Sequence, residues 1–195
     1  VNASKDDVLI TVGTGMTGAI NKFQRILGIK LNENLKDDTK VPEEKRPIIF
    51  VSHMEHHSNQ TSWWETIARV RVIPSNNEGL PCIQSLETLL EEYKDCPIKI
   101  AAITGCSNVT GIQTNYYEVA TIMHKNNGLC FVDFACSAPY INIDMHPENE
   151  EAYLDAITFS PHKFLGGPGT SGVLIFNKKL YKNLVPDNPG GGTVS

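Results

Sequence analysis

Short apolar runs alternate along this chain with segments whose apolar positions recur every three to four residues. Val8-Leu9-Ile10-Thr11-Val12 predicts a first strand, and Ala19 to Leu27 then carries a helical period. The stretch from Asn32 to Arg46 is polar and charged, has no apolar period and lies near Pro42 and Pro47, which predicts a surface excursion. Pro47-Ile48-Ile49-Phe50-Val51-Ser52 and Val70-Arg71-Val72-Ile73-Pro74 predict two further strands, with a helix from Ser58 to Ala68 between them. Leu86, Leu89, Leu90 and Tyr93 fall at i, i+3, i+4 and i+7 behind Ser85 as N-cap, the pattern of an amphipathic helix. Ile98 to Thr104 predicts a buried strand. Asn115 and Glu118 have the spacing of a capping box ahead of Tyr116, Val119, Ala120 and Met123, and Asn127-Gly128 closes that helix. Leu129 to Asp133, Ile157 to Ser160 and Val173 to Phe176 complete the strands.

Strand-helix alternation of this kind predicts an α/β fold, three layers deep (α/β/α), around a mostly parallel sheet. Ligands of such sheets bind at the carboxyl ends of the strands, so the unusual polar residues should follow them. They do. Gly13-Thr14-Gly15-Met16-Thr17 follows the first strand, His53 to Asn59 the second and Gly105 to Gly111 the fourth. Asp133 ends the fifth, and Ser160-Pro161-His162-Lys163 follows the sixth.

Composition narrows the classes. A chain of 195 residues, 41% hydrophobic and 20% charged, suits one soluble globular domain. A net charge of −5 without a Lys/Arg cluster argues against a nucleic-acid partner. No apolar run is long enough for a membrane helix, so no membrane partner is expected. Five cysteines, an odd number with no CxxC pair, read as reduced thiols of a cytoplasmic protein rather than a disulfide frame or a zinc site. Val1 to Asp7 holds neither an initiator Met nor an apolar signal core, and the chain stops in Gly190-Gly191-Gly192-Thr193. It is expected to be a piece of a longer protein, cut at both ends.

Four features carry candidate chemistry. Lys163 sits between an apolar strand and the turn Phe164 to Gly169, next to His162 and Ser160. It is either an ordinary turn lysine or an amine that loses its proton readily and acts as a nucleophile. Gly13 to Gly18 is a glycine-rich turn opening a helix, a phosphate cradle or a plain tight turn. His56 and His57 are adjacent, so in an extended segment they point apart; one stacked and one structural histidine fits better than a shared metal, and none is expected. Asp133 ends an apolar strand, where a buried carboxylate needs a cationic or hydrogen-bonding partner. It either caps a loop or keeps a ring nitrogen protonated.

A phosphate cradle, a stacking histidine, an acid for a pyridinium nitrogen and an imine-forming lysine make up the binding kit of pyridoxal 5′-phosphate (PLP). The chain resembles the fold-type I PLP enzymes, in particular the class V aminotransferases and related class II cysteine desulfurases. The matching blocks are Met54-Glu55-His56-His57-Ser58-Asn59, Ser107-Asn108-Val109-Thr110-Gly111, Val132-Asp133-Phe134-Ala135, Ser160-Pro161-His162-Lys163 and Gly190-Gly191-Gly192-Thr193, in that order along the whole chain.

The resemblance implies that residues 1–195 are the PLP-binding large domain of such an enzyme. It implies that Lys163 bonds the cofactor as a Schiff base and shuttles protons at the substrate Cα, that Asp133 pairs with the pyridinium nitrogen, and that His56 stacks on the ring. Asn108 would lie near the phenolic oxygen. Gly15, the Met16 amide, Thr17, Ser160 and His162 would hold the phosphate, and Thr193 would reach the phosphate of a neighbouring subunit in a homodimer. Cys136 stands where desulfurases of this branch typically carry a Gln against the phenolic oxygen, and Pro161 replaces a small residue often found before His-Lys. The family's substrate-carboxylate arginine and the desulfurases' persulfide cysteine lie in a region these residues do not include. The implied activity is that of an aminotransferase-like enzyme acting on an amino acid. A cysteine desulfurase and a PLP-binding module without turnover are the alternatives, and a phosphate binder of another kind stays open.

Overall fold

A computed structural model of the chain describes residues 1–36 and 38–190. Seven strands form one sheet: β1 (Asp7–Val12), β2 (Ile48–Ser52), β3 (Arg69–Ile73), β4 (Lys99–Thr104), β5 (Leu129–Asp133), β6 (Ala156–Phe159) and β7 (Gly172–Asn177). Four helices join them: α1 (Gly15–Ile26), α2 (His57–Trp64), α3 (Ile83–Glu92) and α4 (Tyr116–Lys125). The sheet order is β1-β7-β6-β5-β4-β2-β3. The pairs β2·β3, β2·β4, β4·β5 and β5·β6 are parallel. β7 runs antiparallel to both β6 and β1. Two reversals cancel, so β1 points the same way as the parallel strands and its carboxyl end opens on their side.

Alternation along the strands produces the three layers. Ile49, Val51, Ala102, Phe131 and Leu174 pack toward α1 and α2 around Phe23 and Trp63. Their neighbours Phe50, Ile103, Val132 and Ile157 pack toward α3 and α4 around Leu86, Leu90 and Met123. β2 and β4 are buried along their whole length, which is why they read as unbroken apolar runs. Each large apolar side chain buried this way contributes roughly 1.5–3 kcal/mol.

Several boundaries differ from the sequence pattern. α1 starts at Gly15, not Ala19, because its first turn is held from outside the helix, as described below. α2 ends at Trp64, not Ala68: the Thr66 hydroxyl donates to the Trp63 carbonyl at 2.6 Å, and Glu65 and Ile67 bond to the 29–31 segment instead. α3 is N-capped by Cys82 rather than Ser85. Asn115 precedes α4 but caps no backbone amide; its side-chain amide donates to Glu118 Oε2 at 2.9 Å, so the capping box is replaced by a side-chain pair.

At the opposite end of the sheet from the polar turns, α4 is pinned by His124. Its Nδ1 lies 2.6 Å from the Glu151 carbonyl and its Nε2 2.9 Å from Asp155, with the ring stacked on Tyr153 at 3.8 Å. Burial alone would lower its pKa, but these acceptors outweigh burial and hold it above the usual value. Among the described residues no helix is long and apolar enough to cross a membrane.

Candidate functional site

The carboxyl ends of β1, β2, β4, β5 and β6 surround a cleft of about 290 Å³. It is lined by Thr14, Met16, Thr17, His56, Ser58, Thr104, Cys106, Asn108, Asp133, Ala135, Cys136, Ser160, His162 and Lys163.

One end of the cleft is the start of α1. Thr14 (φ 66) and Gly15 (φ 63) are both left-handed, an unusual conformation for a β-branched residue, and α1 has no side-chain cap of its own. The Met16 amide donates instead to Ser160 Oγ at 2.8 Å, across the intervening β7. Gly15 has no room for a side chain: a Cβ would stand 2.4 Å from His162 Cε1. On its other side, a Cβ at Gly172 would stand 2.1 Å from the Gly15 carbonyl oxygen. Gly15, Met16, Thr17, Ser160 and His162 are thereby brought together at a helix N-terminus, a setting that favours an anion, although the Met16 amide expected to face a phosphate is taken up by Ser160.

His56 is the N-cap of α2. Its Nδ1 accepts from the Ser58 amide at 3.2 Å, so the ring proton is assigned to Nε2. Burial, and then the charges of Lys163 and His57, lower its pKa, which keeps the ring neutral. His57 lies outside the cleft, its ring 6.3 Å from that of His56. Among the described residues no group of three or more His, Cys, Asp and Glu side chains has a metal-binding arrangement.

Asp133 closes β5 at the floor, only 5% exposed. Its Oδ1 accepts from the Ala135 amide at 2.8 Å. Burial lifts its pKa to about 6, against the pull of that amide and of the Lys163 charge. Lys163 projects from a single 3-10 turn (Pro161–Lys163) after β6; its amide bonds the Ser160 carbonyl at 3.0 Å. Its Nζ makes no hydrogen bond or ion pair among the described residues. Asn108 is exposed at the rim and Cys136 half-buried, its thiol 3.9 Å from the Ser107 carbonyl. Thr193 lies outside the described residues.

The sequence pattern missed what lies under this floor. Glu55 accepts from the Ser52 hydroxyl, from the Thr104 amide at 2.8 Å and from Asn59 Nδ2 at 2.7 Å, tying the ends of β2 and β4 to α2. Burial, and to a lesser degree the Asp133 charge, raise its pKa to about 7 despite these donors. Glu55 stands inside the Met54 to Asn59 block, but nothing in its spacing says that it turns inward. An acid raised in the fold stabilises it only while protonated, so this stability is present below the usual carboxylate pKa and lost as pH rises through about 7 for Glu55 and about 6 for Asp133. The chain without ligand is therefore expected to melt several degrees higher at pH 5 than at pH 8. Glu55→Gln should remove roughly 3 kcal/mol of that difference. Thermal unfolding at the two pH values checks it; an equal slope in the variant would refute the assignment.

The sequence profile described as Aminotransferase class-V matches residues 1–195. A cysteine desulfurase of Shigella sonnei is 32% identical over 151 residues, covering 75% of this chain and 35% of the relative. One from Escherichia coli O139:H28 is 34% identical over 152 residues, with the same coverage. The chain thus spans about a third of the length of these relatives. Among solved structures, a NifS-like protein from Rickettsia africae superposes with a TM-score of 0.70 at 22% identity, over 96% of this chain and 45% of that one. The cysteine desulfurase CsdA of Escherichia coli gives 0.66 at 26% identity, over 96% and 42%.

Proposed function

The chain belongs to the class V aminotransferase family of PLP-dependent enzymes, and from that premise we propose that residues 1–195 are the cofactor-binding large domain of an enzyme acting on an amino acid. One observation carries this reading: a buried carboxylate, Asp133, and an unengaged amine, Lys163, share a cleft whose end is a helix N-terminus. The donor set fits PLP. The first turn of α1, Thr17, Ser160 and His162 would receive the phosphate, and Gly15 lets His162 and Ser160 close against that turn. Thr193 would reach the phosphate of a partner subunit in a homodimer. Asp133 would hold the proton of the ring nitrogen. The neutral His56 ring would cover one face, with Asn108 and Cys136 near the phenolic oxygen.

When bound, the cofactor supplies an electron sink for the pair left at the substrate Cα. Lys163 Nζ would anchor the group, then take the Cα proton and return it. Asp133 would keep the ring nitrogen protonated while that proton is away. Burial raises its pKa, and a protonated ring nitrogen beside it would favour the ionised carboxylate. Lys163 would also be the residue that delivers the Cα proton where transamination requires it.

A second reading is favoured by the relatives, both cysteine desulfurases: removal of sulfur from cysteine, for which Cys136 at the usual Gln position is the objection. The free cysteines fit a reducing, cytoplasmic setting. The full-length protein, loaded with PLP and given single amino acids, tests both. Oxo-acid formation in step with amino-group transfer is expected; alanine and sulfide from cysteine would replace this reading with the desulfurase. PLP binding by the full-length protein without turnover of any amino acid would leave the module.

A further inference from the structure

The cleft floor holds a pair of thiols that none of the roles above uses as a pair. Cys106 follows β4 and Cys136 follows β5. These strands are parallel neighbours with Thr104 opposite Asp133, so the two cysteines leave the sheet side by side, two and three residues past that pair. Both sulfurs reach one acceptor, the Ser107 carbonyl, at 3.7 Å from Cys106 and 3.9 Å from Cys136. Each also interacts with the other: burial first, and then the Cys136 thiol, push the Cys106 thiol above its usual pKa. Both line the cleft, Cys136 being the more open. The other cysteines stand apart from it, Cys82 at the start of α3, Cys96 against the Arg46 carbonyl and Cys130 wholly buried within β5.

We propose that Cys106 and Cys136 form a reversible dithiol–disulfide site on the cleft floor, closed by a two-electron oxidant of the peroxide class and governing access of the cofactor. The Cys136 thiolate attacks one peroxide oxygen, the O–O bond breaks and the departing hydroxide leaves as water after taking a proton, giving a sulfenic acid. The Cys106 sulfur then displaces the hydroxyl of that sulfenic acid; the S–S bond forms, and the Cys106 proton leaves with the hydroxyl as a second water. Two thiols and one hydrogen peroxide become one disulfide and two waters. Drawing Cys136 toward Cys106 moves the residue beside Ala135, whose amide orients Asp133. The effect on cofactor access rests on the PLP reading of the cleft; the disulfide does not.

Two measurements test it. The chain is treated with hydrogen peroxide, alkylated, digested with trypsin and sequenced by mass spectrometry. The expected product joins peptides 100–125 and 126–163, with fragment ions placing the bridge on Cys106 and Cys136. Dithiothreitol should remove it, and Cys136→Ser should prevent it. A bridge through Cys130 or Cys82, or Cys136 driven to sulfinic acid with Cys106 still free, overturns the site. PLP titration of the oxidised and reduced chains is then expected to show about tenfold weaker binding after oxidation, the scale of one weakened charge-assisted contact. Equal affinities overturn the link to cofactor access. Absence of PLP binding by the reduced chain would overturn the cofactor reading while leaving the disulfide demonstrated.

Discussion

Lys163→Ala is expected to abolish the absorbance band near ~420 nm that the wild-type protein develops on mixing with PLP. It should also lower turnover by the full-length enzyme at least ~10³-fold, since anchor and proton carrier are lost together. The fold gives no reason for the variant to fail otherwise. Lys163 is exposed, and its Nζ contributes no hydrogen bond or ion pair among the described residues. The melting temperature should therefore stay within about a degree of wild type, as for a surface change of under ~0.5 kcal/mol. Lys163→Arg sharpens the result: it retains the charge felt by Asp133 and His56 but offers no amine to form the bond. Borohydride reduction of the wild-type mixture should leave a phosphopyridoxyl mass on the peptide carrying Lys163. A band that survives Lys163→Ala, or a label on another lysine, would refute the role.

The layered sheet was legible because β2, β4 and β5 are buried on both faces, so their sequences are apolar runs that only a doubly covered strand tolerates. The direction of β7 was not. Its sequence, Gly172 to Asn177, reads like any central strand, and the reversal is set by the Ser160 to Ser171 turn, whose path depends on tertiary contacts. Helix ends were misplaced where the partner came from elsewhere in the chain. Ser160 holds the first turn of α1 over a sequence distance no local window spans.

The site followed the same division. Residues that sit at the carboxyl ends of strands could be found from order, Asn108 and Cys136 were singled out only through the family resemblance, and Gly15, Met16, Thr17, His56, Asn108, Asp133, Cys136, Ser160, His162 and Lys163 all surround or border one cleft. Glu55 and Cys106 could not. Glu55 acts through backbone amides of β2 and β4, and Cys106 gains its meaning only from Cys136 on the neighbouring strand. Both depend on register, which short motifs do not encode.

Asp133→Asn is expected to separate binding from stability. The substitution keeps the shape and an oxygen for the Ala135 amide but removes the charge. PLP affinity at pH 8 should fall roughly ten- to hundredfold, the value of a charge-assisted hydrogen bond of about 1.5–3 kcal/mol. Turnover of the full-length enzyme should drop by about 10²–10³-fold, as when one preorganised electrostatic contact is lost. Stability without PLP should move the other way. Burial raises Asp133 to about 6, so its ionised form opposes folding, and the cost grows as pH rises through that value. The neutral Asn escapes it, and the variant should be more stable than wild type at pH 8 by roughly 1–3 kcal/mol, with the difference closing below the usual carboxylate pKa. The pH dependence of binding completes the test. Wild-type affinity should weaken as pH falls through about 6 and the carboxylate takes up its proton, while the variant's should not share that step. A residue kept for packing would lose stability on substitution and leave affinity unchanged; a residue that holds a ring proton gives the opposite pattern. PLP titration and thermal unfolding at pH 5 and pH 8 read both quantities, and a variant that binds PLP as wild type does at pH 8 would remove Asp133 from the site.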